Sequence, residues 1–449
     1  MNRPFQFRYA GIVLLLAMVL GGGAAPQLWS DHVIMLAMLP ALFMGLPHLF
    51  SGRLAPTAKV LCVLALALVA LQFFPVFRTV SVDAVETVSG WAFWSPLPQA
   101  SLETGLIAVS LIGFALFIAR FDDSEQERML RFVLVGFLIN LIAAAIQLSF
   151  DQRAIVKDVL PFVMTAGAFA NENHFSALIY MMIPLVGWFY LDRTRRPVFY
   201  LLFLVLVVAL LFAVGSRAGM AISSVLGVLT LAWFWSGRLG FAVKAVAVLL
   251  GLSALFLALW LFGVSDPLEG DLRQVFFATT LRAIGDHWLF GSGLGTFTAI
   301  YPAYQTQDTV VHVFANHAHN DFLELFLECG LPGLALVLVF LGLVAWHGGR
   351  SGLSQAGFLA IVAICLHSLL DYPLRTFAVA TPFMWLAAII LSTRRDEESE
   401  PQPRRPPRVS SDEDFVALAP EELEEDEPEE DPHGVAPAGF ARPVVDYRR

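Results

Sequence analysis

Apolar runs of about 20 residues, the length that crosses a bilayer as helix, recur along this chain and leave little room for another architecture. With 57% hydrophobic and 15% charged residues, it carries more of them than one soluble core can use. The spacing predicts an all-α polytopic membrane protein. Twelve helices are expected near residues 10–25, 32–50, 58–77, 102–120, 130–149, 174–191, 197–214, 218–236, 242–264, 331–346, 353–371 and 376–392. A long outer loop, 265–330, separates the ninth from the tenth. The first run, after Arg3 and Arg8, resembles a signal peptide, but Pro26 after the would-be cleavage site argues against removal.

Charge has to be divided before it informs. The formal net charge is -10, yet the segment from Asp396 onward holds 17 Asp and Glu against 6 Arg. The rest of the chain is nearly neutral, so the acidity belongs to a Pro- and Glu-rich tail, 393–449, expected to be disordered. It gives no ground for a nucleic-acid partner. Cys62, Cys329 and Cys365 lie scattered in apolar segments, without disulfide or zinc spacing.

Lys and Arg set the orientation. Fifteen of them, among them Arg53, Lys59, Arg120, Arg131, Arg238 and Lys244, fall on one side, and seven, including Arg153, Lys157, Arg217, Arg273, Arg282 and Arg375, on the other. The positive-inside rule then places both termini in the cytoplasm and loop 265–330 outside, where nucleotide sugars are absent. Loop 78–101, with Trp91, Phe93 and Trp94, reads as an interfacial aromatic belt. Loop 150–173 ends in Gly-Ala-Phe-Ala-Asn-Glu-Asn-His, which includes Asn173.

The polar residues collect on the outer side. At the end of the long loop stands Asn-His-Ala-His-Asn-Asp, Asn316 to Asp321, followed by a predicted helix to Cys329 that Gly330 ends. Asn320, Glu324 and Glu328 share a polar strip, and His319 heads an apolar row with Phe322, Leu323 and Phe326 that is expected to pack inward. The imidazole is then a structural hydrogen-bonder or a base. Gly-Ser-Arg-Ala-Gly, Gly215 to Gly219, holds Arg217 at the outer interface, for a phosphate or for lipid headgroups. Arg273 and Arg282 are further anion contacts or solvated loop arginines. The Gly-Ser-Gly-Leu-Gly run, Gly291 to Gly295, lacks a βαβ setting, so its glycines serve close approach to a substrate or a helix end. His312, His317 and His319 lack metal-ligand spacing, and no metal or other cofactor is expected. His367, Asp371 and Arg375 surround Tyr372-Pro373, with His367 and Asp371 one helical turn apart as a hydrogen-bonded pair.

Taken together, these motifs resemble the O-antigen ligase and polymerase family of bacterial envelope glycosyltransferases. The resemblance rests on His319-Asn320, nine residues, then Gly330, on Ser216-Arg217-Ala218-Gly219, and on the Arg282 to Phe297 segment. It covers residues 165–392, with helices one to five in 1–164 matching in hydropathy only. Leu331-Pro332-Gly333 follows the glycine where the ligase pattern tends to continue with threonine.

The resemblance implies a GT-C-like enzyme of the bacterial inner membrane that moves a glycan from an undecaprenyl diphosphate carrier to a sugar hydroxyl, on lipid A-core or similar, without a metal. It casts His319 as base, with Arg217, Arg282 and Arg273 on the diphosphate. Asn320 would orient imidazole or acceptor, and Ser216, Asn173, His317, Glu324, Asp371 and Arg375 would support them. A polysaccharide polymerase and a protein O-oligosaccharyltransferase share these motifs. A transporter is the reading outside the class.

Overall fold

The computed structural model describes residues 2–50, 52–81, 87–150, 160–235, 272–307, 309–310, 314–349 and 352–392. The expected ninth helix, 242–264, His312 and the acidic tail lie outside the described residues. Met1–Arg395 form one compact unit.

The described chain is mostly helical, as its apolar runs require. Among the described residues, seven helices are long and apolar enough to cross a membrane: Arg3–Leu20, Trp29–Leu49, Pro98–Ile118, Asp123–Ser149, Glu172–Arg193, Pro197–Val214 and Asp321–His347. Shorter apolar helices occupy Pro56–Leu71, Gly219–Trp235, Gly352–His367 and Phe377–Leu391. Several begin at proline, which suits a first turn because it has no N–H to leave unbonded: Pro56, Pro98 and Pro197.

The chain is not wholly helical. Loop 78–101, read as an interfacial aromatic belt, includes most of an antiparallel hairpin of Pro75–Ser81 and Thr87–Phe93. The segment is rich in β-branched residues, and Phe77 pairs across the ladder with Trp91 at a ring distance of 5.8 Å. Its aromatic residues Phe77, Trp91 and Phe93 remain exposed.

Glu172–Gly187 is the axis of the bundle. Every residue from His174 to Gly187 is buried, as expected for a helix apolar on all sides. Gly352–His367 and the helix starting at Arg217 pack on it. Phe377–Leu391 lies against Arg3–Leu20 and Pro98–Ile118, so one apolar core runs through these elements. Around this axis Glu172–Gly187, Arg217–Thr230, Asp321–His347 and Gly352–His367 bring polar residues at or just beyond their ends together.

Candidate active site

Helix Pro197–Val214 ends in Gly215, whose φ of 85° is the left-handed C-terminal cap that glycine adopts freely. The next helix starts at once, with Ser216 as N-cap accepting from the Gly219 N–H at 3.1 Å. Gly219 allows close approach to Glu172–Gly187, since a Cβ there would stand 2.6 Å from the Ser176 side chain. Glycines and serine of Gly-Ser-Arg-Ala-Gly thus shape the joint between two helices. Arg217 opens the second helix; its side chain lies outside the described ones. Ser216 also donates to Asn173 Oδ1 at 2.9 Å, and Asn173 Nδ2 donates to Asp371 Oδ2 at 3.1 Å. Two hydrogen bonds therefore couple the Ser-Arg joint to Asp371.

Asp371 is the hub of the site. Its carboxylate is 1% exposed, and His319 Nδ1 lies 3.4 Å and His174 Nε2 3.6 Å from Oδ1. Around Oδ2 are Arg273 at 3.4 Å and His367 Nε2 at 3.9 Å. The Tyr372 N–H donates to Oδ1 at 3.0 Å. Burial alone would raise this carboxyl, but the surrounding imidazoles of His174, His319 and His367 outweigh it and hold Asp371 well below the usual carboxylate range. It is a permanent anion, fixed from several sides.

His319 is held by the backbone as well as by Asp371. Its φ of 53° is left-handed, a conformation that costs a non-glycine residue roughly 1–2 kcal/mol. The ring stacks on Phe276 at 5.3 Å and meets the Tyr372 ring edge-on at 4.8 Å. Nδ1 is the ring nitrogen that faces Asp371. His319, Arg273, Asn173, His174 and Tyr372 line one cavity of about 370 Å³. Burial, with the Asp371 charge adding, pushes the Tyr372 phenol up to about 12, so it stays neutral.

A second cluster positions the histidine loop. Asn320 caps helix Asp321–His347, its Oδ1 accepting from the Phe322 and Leu323 N–H groups at 3.0 Å each, while Nδ2 donates to the Leu369 carbonyl at 2.8 Å. These bonds tie its amide to the helix start and to the segment after Gly352–His367. His317 Nε2 donates to the Ala24 carbonyl at 2.8 Å and Nδ1 to Glu324 at 2.8 Å. Both partners are acceptors, which requires a proton on each nitrogen. Burial disfavours that charge, but Glu324 prevails and His317 titrates above the ordinary imidazole range. Glu324 also accepts from the Ala318 N–H at 2.8 Å.

Arg375 bridges the strip on the same helix, 3.3 Å from Glu324, 3.4 Å from Glu328 and 3.8 Å from Asp321. The apolar row Phe322, Leu323 and Phe326 is partly buried, with Leu323 and Phe326 packed against the cluster of Phe276 and Tyr301, while Glu324 and Glu328 are 1% and 0% exposed. The polar strip faces inward because a guanidinium waits there for it.

The glycine run proves to serve a helix end. Gly330, at φ 59° and ψ -155°, breaks Asp321–His347 into two parts. The carbonyls left by this break accept from the run: Ser292 N–H to Leu327 at 2.8 Å and Gly293 N–H to Glu328 at 2.9 Å. The Leu331 N–H in turn donates to Trp288 at 2.9 Å. Gly291 and Gly330 meet backbone to backbone, with no room for a Cβ at either.

Of the three arginines assigned to an anion, the structure brings Arg273 to the cavity. Arg282 is exposed on the same helix, Leu272–His287, and donates to the Tyr304 carbonyl at 3.3 Å, away from Asp371's ligands. Sequence reasoning assigned no site role to His174 and Asp321, and placed Glu328 in the polar strip without one. His174 heads a continuous apolar helix, where an ionisable side chain marks a buried contact, and that signal was available.

The fold and site thus define a helical multi-pass membrane protein with a carboxylate-oriented histidine beside an arginine. Residues 202–338 match the family model described as O-Antigen ligase, the family that the motifs resemble. Over that stretch the chain is thus similar to the O-antigen ligase family. No curated protein matches it.

Proposed function

We propose that the chain transfers a glycan from a polyprenyl diphosphate carrier, undecaprenyl diphosphate in the bacterial inner membrane, to a sugar hydroxyl on the periplasmic side. The observation that supports this is the pairing of His319 with buried Asp371, Nδ1 to Oδ1 at 3.4 Å, in a cavity that Arg273 also lines. A sugar hydroxyl is a poor nucleophile, and a positioned imidazole removes its proton as attack proceeds. Asp371 keeps the proton of neutral His319 on Nδ1 and stabilises the imidazolium that forms.

The bonds balance simply. The acceptor oxygen bonds to the anomeric carbon, the bond from that carbon to the diphosphate oxygen breaks, and the acceptor proton passes to His319 Nε2. The carrier leaves as its diphosphate and takes the electron pair. Direct displacement inverts the anomeric centre. Arg273, in the cavity with His319, meets the charge that develops on the leaving group, and Arg217 at the adjoining helix start joins it. With guanidinium groups in that role, no metal is required by the mechanism.

Incubation of the purified protein with a lipid-diphosphate-linked glycan and EDTA tests this, with lipid A-core, a second carrier-linked glycan or a peptide supplied separately. Product on lipid A-core marks a ligase, a ladder on the carrier a polymerase, and glycopeptide a protein glycosyltransferase. No product from any of the three, with transport of the intact lipid in liposomes, overturns the reading.

A further inference from the structure

A second cavity, of about 350 Å³, adjoins that of His319 across Ala24, Ala25 and Asn316, which line both. Asp31 and Glu103 face it from one side, Asp321, Glu324 and Glu328 from the other. The cations lining it, Arg375 and His317, are already engaged by Asp321, Glu324 and Glu328. Asp31 is 7% and Asp321 8% exposed, and Oδ1 of each has no hydrogen-bond partner among the described residues.

Buried carboxylate oxygens without donors are costly, and this pair lines a space of ligand size. The ligand must supply donors. A diphosphate is excluded, because it brings further negative charge among carboxylates. Sugar hydroxyls fit, each donating one hydrogen bond while keeping the ligand uncharged. The next space along is apolar, about 330 Å³, and shares Leu294 and Leu325 with the acidic cavity. A ligand that is hydroxylated at one end and apolar at the other matches the two in series.

We propose that the acidic cavity is the acceptor site and takes the uncharged, hydroxylated sugar end of a lipid-anchored glycan, with the diphosphate of the donor confined to the Arg273 side. This rests on the transferase reading above and deepens it by separating the two substrates. Asp31 and Glu103 act on the acceptor through hydrogen bonds to its hydroxyls and take no part in the proton transfer.

Asp31→Asn and Glu103→Gln, which preserve shape, test it in steady-state kinetics with donor and acceptor varied separately. Asp31→Asn is expected to raise the acceptor KM roughly tenfold to a hundredfold, the loss of a hydrogen bond to a charged group. The donor KM, and binding of the lipid-diphosphate glycan seen by native mass spectrometry, are expected to stay at the wild-type level for both variants. A shift in donor KM, or no shift in either KM, overturns the proposal. Carbodiimide labelling of wild-type protein, read by peptide mass spectrometry, supplies a measurement independent of turnover. Lipid A-core is expected to protect Asp31 and the donor glycolipid is not; protection by the donor, or by neither, counts against the assignment. If wild-type protein makes no product with any acceptor, the transferase reading fails on its own, and the labelling still reports what the cavity binds.

Discussion

Asp371 Oδ1 stands 3.4 Å from His319 Nδ1, across the junction of two chain segments that the sequence keeps apart. In the proposed mechanism the carboxylate favours the neutral tautomer with its proton on Nδ1, which leaves Nε2 to act as base. Asp371→Asn keeps the shape but presents an amide that does not impose this tautomer. Transfer is expected to fall by roughly 10²- to 10⁴-fold with donor binding retained. Single-turnover transfer alongside a donor-binding assay checks both halves.

The two arginines of helix Leu272–His287 separate by position. Arg273 lies 3.4 Å from Asp371 and lines the His319 cavity, while Arg282 is exposed and bonded to the Tyr304 carbonyl. Arg273→Ala is expected to weaken donor binding and slow transfer at least about tenfold, the scale of one charged hydrogen bond. Arg282→Ala is expected to stay within roughly twofold of wild type, since a lone surface hydrogen bond contributes well under 1 kcal/mol. Parallel donor titrations decide the order.

Arg375 is the counter-ion of a carboxylate cluster, so its removal acts on stability before chemistry. Arg375→Ala leaves Glu328, 0% exposed, without its cation and Glu324, 1% exposed, with His317 alone. The expected loss is about 3–5 kcal/mol, typical of breaking a buried pair from one side. A lowered thermal midpoint in detergent checks it, and Arg375→Lys is expected to recover only part because one ammonium cannot reach all three carboxylates as a planar fork does.

His317 gives stability a pH dependence of defined sign. Its folded pKa is raised above the unfolded imidazole value, about 6.5, by Glu324 against the opposing effect of burial. The stabilisation is therefore fully present below about pH 6.5 and is lost as pH rises through the folded value. Asp371, depressed in the folded state, contributes in the opposite sense, above about pH 4, and adds no slope in this range. Melting of wild-type protein is expected to weaken from pH 6.5 upward, and His317→Gln is expected to abolish that component.

The sequence makes the membrane helices legible because bilayer thickness fixes their length and apolar character. Eleven of the expected segments coincide with apolar helices of the described structure, the eighth in part; the ninth lies outside the described residues. The hairpin Pro75–Ser81 with Thr87–Phe93 was not anticipated, because a short two-strand ladder competes with the same aromatic and β-branched residues that mark a membrane interface.

Within the site, His319, Asp371 and Arg375 could be picked out as ionisable groups near membrane depth. Their pairing could not, since it depends on how four helix ends converge. Asn320 shows the limit most plainly. In sequence it sits beside the histidine and invites a substrate role, and its capping bonds to the Phe322 and Leu323 N–H groups and the Leu369 carbonyl appear only in the fold. The direction of the Glu324 strip was hidden for the same reason, because only the fold reveals that Arg375 stands opposite.

The most direct test is His319→Ala in a single-turnover assay with a lipid-diphosphate-linked glycan, its acceptor and a parallel donor-binding measurement. A base acting on the acceptor hydroxyl predicts transfer slowed by roughly 10²- to 10⁴-fold while the donor still binds. Transfer within a few-fold of wild type would contradict a catalytic role for His319 and leave its contact with Asp371 as structural alone.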